Sequence, residues 1–263
     1  MQIANHLQQI QPSYIREILK AATAEGIISL AGGLPAPDRF PLPLMKDAIA
    51  NLSKQANLFQ YAETEGYGPL LDHLEERYKL PDGHGALVCT GSQQGIDLIA
   101  RAFLNPGEGV AMEAPSYLGA LQAFAMAQAN IMSVRQRGDG PDLEQLENRF
   151  ASGRVKVFYA VPDFHNPTGG CWALAVRKKV AQLCRQYQIG LIEDAPYRAL
   201  RFSGKALPMV SSFCPERSWV LRSFSKISAP GIRLGTVTGP KDWIGPLIKV
   251  KQASDLHSSV PMQ

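Results

Sequence analysis

The segment Ser223-Phe-Ser-Lys-Ile-Ser-Ala-Pro-Gly-Ile-Arg-Leu-Gly235 holds a single lysine, Lys226, between small hydroxyl residues and just after the apolar run Ser218-Trp-Val-Leu221. Pro230 and Gly231 follow, a pair that forbids a continuing helix, and Arg233 comes soon after. A lysine that only aids solubility needs no such confinement; one that must form a covalent bond does. Other strings also place polar groups directly after apolar runs. Gly91-Ser92-Gln93-Gln94-Gly95 opens a helix-forming stretch, where free N–H groups and the positive end of the helix dipole suit a phosphate. The same residues also read as an ordinary serine cap. Asn166-Pro167-Thr168-Gly169 is a turn signal, and a turn at a strand end leaves the Asn166 amide facing a crevice. Asp194 concludes an apolar run and is followed by Tyr197. A carboxylate there is costly to bury unless a cation meets it, the alternative being a cap on the next turn. His165 reads as a packed residue.

The elements that must position these groups follow from the apolar rhythm. Short apolar runs at 86–90, 109–113, 131–134, 155–161, 189–194, 219–223 and 235–239 alternate with helical stretches such as 95–104 and 173–187. This alternation predicts an α/β fold, a largely parallel sheet with helices on both faces, and such sheets bind ligands beyond the carboxyl ends of their strands. Residues 13–25 carry helical spacing, and 31–43 (AGGLPAPDRFPLP), rich in Gly and Pro, reads as extended loop. From about Lys241 onward the pattern is that of an amphipathic helix cut off before its partner, which predicts exposed apolar surface.

At 263 residues, 45% hydrophobic and 19% charged, the chain has the profile of a globular protein. The net charge of +4 is scattered, which reads as solubility and leaves room for an anionic ligand, but not as nucleic-acid binding. Cys89, Cys171, Cys184 and Cys214 form no CxxC or metal-ligand pattern, so no metal and a reduced, cytoplasmic setting are expected. No signal peptide or membrane-length apolar run is evident. Neither phosphate-loop nor dinucleotide glycine fingerprints occur. Ser223-Phe-Ser-Lys226 fits the S-x-x-K of penicillin-recognising enzymes, but the accompanying SDN and KTG strings are missing.

One chemistry uses a phosphate-cradling helix start, a strand-end amide, a strand-end acid with a nearby phenol and a confined lysine: that of pyridoxal 5'-phosphate. Its aldehyde takes an amine, its phosphate needs backbone donors, and its ring nitrogen stays protonated opposite a buried carboxylate. Here the ordered strings AGGLPAP, QYAETEGYGPLLDHL, TGSQQGIDLIARAFLNPGE, EAPSYLGAL, PDFHNPTGG, EDAPYR and SFSKISAPGIRLG resemble the fold-type I aminotransferases of class I/II. The likeness is to the branch with 2-aminoadipate and kynurenine aminotransferases and the aminotransferase-like half of MocR regulators, and it covers essentially the whole chain.

The resemblance implies a three-layer αβα large domain with a mostly parallel sheet, at residues 46–263, preceded by an N-terminal arm and small-domain segment at 1–45. It implies that Lys226 bonds the cofactor and shuttles the proton, that Asp194 partners the ring nitrogen, and that Tyr197 and Asn166 donate to the ring hydroxyl. Ser92, Gln93, Ser223, Ser225 and Arg233 resemble the phosphate cradle, and Tyr117 the aromatic that stacks on the ring. Tyr61 resembles a tyrosine that reaches the neighbouring subunit's phosphate, which implies a homodimer with shared sites. Gly33, with Asn166, matches the substrate side, and Phe40 and Tyr67 are expected to pack. The implied reaction moves an amino group between an L-amino acid and a 2-oxo acid, with 2-oxoglutarate and glutamate the default pair, by ping-pong chemistry through Lys226.

Family members are longer. The C-terminal small domain, with the arginine that clamps the substrate carboxylate, is therefore expected to be missing from this chain, as a fragment or a truncated product, leaving cofactor binding weak and turnover negligible. The alternatives are a ligand-sensing domain of a MocR-type regulator, which would need a DNA-binding segment upstream, or another reaction of the same cofactor such as a lyase or decarboxylase.

Overall fold

The computed structural model describes residues 1–8, 26–28 and 32–263. The helical spacing read at 13–25 lies outside the described residues. A 3-10 turn, Pro37–Arg39, precedes helix α1 (Leu42–Leu52). Part of the segment read as extended loop is therefore coiled: Pro41 caps α1 and Pro43 sits in its first turn, where a missing N–H is harmless. Helix α2 (Gly68–Tyr78) leads to β1 (His84–Cys89), α3 (Ser92–Phe103), β2 (Gly109–Ala114), α4 (Leu118–Met126), β3 (Asn130–Arg137) and the two-residue β4 (Gly140–Pro141). Then come α5 (Leu143–Ala151), β5 (Val155–Ala160), α6 (Leu174–Gln186), β6 (Gly190–Asp194), β7 (Ser218–Ser223), β8 (Gly235–Pro240) and α7 (Lys241–Gln252).

The strands form one sheet in the order β1-β8-β7-β6-β5-β2-β3-β4. From β7 through β6, β5 and β2 to β3 all pairings are parallel, whereas β8 runs antiparallel to both β7 and β1. The β7–β8 link lacks the helix a parallel crossover needs, so the chain turns straight back. In the resulting register Ser223 pairs with Gly235, and Phe224 N–H donates to Leu234 O at 3.0 Å.

Two cores, one on each face, make the three αβα layers. Apolar residues of α3 at helical spacing, Ile96, Ile99 and Ala100, pack with Leu87, Leu221 and Val237 from the sheet and with Ile244 and Leu247 of α7. On the opposite face Val176, Val180 and Leu183 of α6 meet Phe158 and Leu191. Full burial of each such side chain contributes about 1.5–3 kcal/mol. Helix α7 is thus not left without a partner, since it lies on α3; exposed apolar side chains occur on α1, at Leu42, Leu44 and Ile49, and after α7, at Leu256 and Met262. Among the described residues no helix is long and apolar enough to cross a membrane, and no His/Cys/Asp/Glu cluster could hold a metal ion.

Candidate active site

The carboxyl ends of β5, β6 and β7 and the start of α3 enclose a cavity of about 360 Å³. All but one of the residues singled out from the sequence line it: Ser92, Gln93, Tyr117, Asn166, Asp194, Tyr197, Ser223, Ser225, Lys226, Arg233 and Gly33. Tyr61 does not. It is 79% exposed outside the cavity, edge-on to His257 with ring centroids 6.0 Å apart.

Asp194 is the deepest of these groups, at 2% exposure. It does not cap the following turn; its Oδ2 accepts a hydrogen bond from the Tyr159 hydroxyl at 2.7 Å, and its Oδ1 has no partner. Burial pushes its pKa up to about 6, against the opposing pull of the Tyr159 hydrogen bond. Tyr159 was not among the residues read from the sequence. A phenol inside an apolar strand reads as core, and only the parallel alignment of β5 with β6 brings it to Asp194.

Lys226, which lines the same cavity as Asp194, donates to the Gly33 carbonyl at 3.0 Å, and its amine lies 5.9 Å from the centre of the Tyr197 ring. Partial burial lowers its pKa, so the free base is more accessible than on a solvated lysine. Asn166 Nδ2 donates to the Tyr197 hydroxyl at 3.4 Å, from the turn that the sequence signalled. Burial raises the Tyr197 pKa, the Asn166 contact lowers it, and the Asp194 charge raises it. Burial also raises that of Tyr117, with Asp194 adding to the effect. His165 is buried, as expected, with Nδ1 3.1 Å from Thr168 Oγ1.

Arg233 and the start of α3 give the cavity wall a basic stretch. Helix α3 is capped by Gly91, not by Ser92, so Ser92 is the first helical residue and its hydroxyl is not consumed in capping. The first N–H groups of a helix lack acceptors within it and attract anions. Gln94 is spent on structure, accepting from the Thr90 N–H at 2.8 Å, while Gln93 Nε2 is held by Gly119 O at 2.7 Å. Arg233 adopts a left-handed backbone (φ 52°) and donates to Thr90 O at 3.3 Å. A side chain at Gly91 would put its Cβ 2.5 Å from Arg233 Nη2, and one at Gly235 would put its Cβ 2.6 Å from Ser92 N. The two glycines let the guanidinium and β8 close onto the helix start. Ser223 and Ser225, both buried, complete this wall, with Ser225 N–H donating to Ser223 Oγ at 3.2 Å.

A buried acid with a free oxygen, a half-buried amine and a donor-rich corner with Arg233 share one α/β cleft, an arrangement that suits a small anionic ligand. The sequence matches the family described as aminotransferase class I and II over residues 25–262, and the chain belongs to that family. It is 38% identical to a 2-aminoadipate transaminase of Thermus thermophilus over 95% of this chain and 64% of that protein. An aromatic-amino-acid aminotransferase 1 of Thermococcus litoralis is 36% identical over 94% of this chain and 62% of its own length. The chain thus spans less than two thirds of either relative. The solved structure of LysN, an alpha-aminoadipate aminotransferase from Thermus thermophilus complexed with N-(5'-phosphopyridoxyl)-L-leucine, superposes with a TM-score of 0.89 at 35% identity, covering 99% of this chain and 67% of that one.

Proposed function

We propose that the protein is an aminotransferase that uses pyridoxal 5'-phosphate to move an amino group between an L-amino acid and a 2-oxo acid. The observation that carries this reading is the pairing, in one cavity, of the Lys226 amine with a buried Asp194 whose Oδ1 has no partner. When bound, the cofactor supplies an aldehyde for an amine and a ring that accepts electrons from the substrate's Cα.

The residues present fit that group. Asp194 Oδ1 is an acceptor awaiting a cationic N–H, and an ion pair there would offset the carboxylate's desolvation. Tyr197 and Asn166 would hold the ring oxygen, and Tyr117 one face of the ring. The start of α3, with Ser92, Ser223, Ser225 and Arg233, would hold the phosphate. Lys226, its pKa lowered by burial, is the amine that would bond the cofactor and, once released, move the proton at the substrate's Cα. The Gly33 carbonyl, which receives the Lys226 hydrogen bond, would with Asn166 face the substrate.

The finer reading is a ping-pong exchange with glutamate and 2-oxoglutarate as one substrate pair, in a homodimer to which exposed Tyr61 contributes across the interface. Residues 1–45 would form an arm and small-domain segment beside the large domain of 46–263. Borohydride reduction of the protein mixed with the cofactor, followed by peptide mapping, tests the core of the reading. The expected result is a mass adduct on Lys226 that Lys226→Ala abolishes; an adduct elsewhere, or none on folded protein, would falsify it. Single-turnover mixing with individual amino acids, read by the appearance of the matching 2-oxo acid, tests the substrate pair.

A further inference from the structure

A second, larger cavity of about 550 Å³ lies behind the loops that carry Tyr197 and Lys226, between them and α2. Its lining contains His73, Arg77, Arg198 and Arg222 and not one acidic residue. Arg198 is committed, because its guanidinium serves Asp163 and the Leu207 carbonyl. Arg222 is not. One face of its guanidinium stacks on the Tyr78 ring at 3.8 Å, Nη1 donates to Thr238 Oγ1 at 3.1 Å, and Nη2 meets only the Met209 sulfur at 3.8 Å. A thioether is a weak acceptor, so the planar fork keeps donors to spare.

The acids nearby are engaged. Both oxygens of Glu193 accept N–H groups, from Val210 at 3.0 Å and Ser211 at 2.8 Å, and Asp163 binds Arg177, Arg198 and Arg201. Among the described residues Arg222 therefore has no carboxylate in contact, in a half-buried setting where burial lowers its pKa against the smaller opposing pull of Tyr78 and of the more distant Glu193. A cation so placed is the inverse of Asp194: a desolvated charge waiting for its counter-ion. The rest of the wall is apolar, with Leu70, Leu74, Phe224 and Ile227 facing the same space.

We infer that this cavity, which adjoins the cofactor cavity and shares Pro196 and Ser223 with its wall, is a second binding site for a small monocarboxylate with an apolar body, its carboxylate paired with the Arg222 fork and its body against Leu74 and Phe224. Planar bidentate geometry suits a carboxylate, the volume is that of a small-molecule site, and the apolar wall favours an acid over a bare inorganic anion. Because Phe224 and Ile227 flank Lys226 in sequence, an occupant would touch the segment that carries the lysine.

The test is titration of the folded protein with benzoate and with neutral benzamide, read by calorimetry or ligand-observed NMR. Benzoate should bind saturably and benzamide at least about tenfold more weakly, and Arg222→Gln should weaken benzoate by about tenfold or more. Arg77→Gln, on the exposed face of α2, should weaken it by about threefold without bearing on folding. Arg233→Gln, in the other cavity, should leave benzoate binding unchanged, which separates this site from the proposed cofactor site whether or not that reading holds. Equal binding of benzamide, loss of binding with Arg233 rather than Arg222, or no binding to folded protein would each overturn the assignment. If Arg222→Gln does not fold, Arg222→Lys and Arg77→Gln carry the comparison, with weakening required in both.

Discussion

Asp163 lies just past the end of β5 and Asp194 ends the adjacent β6, at 1% and 2% exposure. Asp163 receives three guanidinium groups: Arg177 at 2.8 Å, Arg198 at 2.6 Å and Arg201 at 3.2 Å. Burial pushes its pKa up, but the hydrogen bonds and charges of Arg177 and Arg198 outweigh that and hold it below the usual carboxylate range. Asp194 has one phenol and an unpartnered oxygen, and its pKa rises to about 6. Two side chains of one type at similar depth are thus an internally neutralised acid and an acid left open to a cation from outside. The difference teaches that burial alone does not make a carboxylate a candidate for binding a ligand; Asp194 is one because its unpartnered oxygen belongs to a residue that lines the cavity.

Substitution should separate the two sharply. Asp163→Asn leaves buried Arg177 without its carboxylate, and a loss of about 3–5 kcal/mol in urea unfolding is expected. Asp194→Asn in cofactor-free protein should do the reverse above pH 7, raising stability by up to roughly 3 kcal/mol, because it removes a buried charge that meets the Tyr159 phenol but no cation. If Asp194→Asn destabilised the cofactor-free protein as much as Asp163→Asn, the contrast would be wrong.

The pH dependence follows with opposite signs. The folded-state pKa of Asp194 is raised from 3.8 to about 6, so the folded protein binds that proton more tightly than the unfolded chain. Its contribution to stability is present below the unfolded pKa and is lost as pH rises from about 4 to about 6. For Asp163 the folded-state pKa is depressed, so its contribution is present above 3.8 and disappears as pH falls further. Melting curves of cofactor-free wild type and Asp194→Asn across pH 4–8 should diverge over the window between 3.8 and about 6.

A smaller effect is expected from Tyr159→Phe, which takes away the described donor to Asp194. It should cost about 2 kcal/mol with the carboxylate ionised and move the titration of Asp194 upward, observable by carbon-13 NMR of the side chain. Smallest is Asn166→Ala. Its bond to Tyr197 is long, at 3.4 Å, so a loss of under about 1 kcal/mol and a modest rise in the Tyr197 pKa are expected in ultraviolet titration.

Much of the site was legible because each of its groups follows an apolar run, and chain order alone puts Asn166, Asp194 and Lys226 at strand ends. Tyr159 was hidden because its role depends on how two strands align, which neither strand states. The partners of Asp163 were hidden for a related reason: the three arginines are scattered from 177 to 201 and meet only after folding. Strand positions were read correctly, but apolar periodicity carries no direction, so the reversal of β8 came only with the structure. Gly- and Pro-rich composition at 31–43 suggested loop where proline at a first turn starts α1.

That reversal of β8 bears on how the lysine responds to stress. With Ser223 locked to Gly235 and Phe224 to Leu234, the excursion bearing Lys226 is stapled shut at its base by two strands of the sheet interior. The amine can swing on its own methylenes, but the backbone beneath it cannot peel away piecemeal. Deuterium should reach the amides at the base of that excursion only when the whole sheet opens, so warming would abolish the lysine's placement in one step with the fold itself.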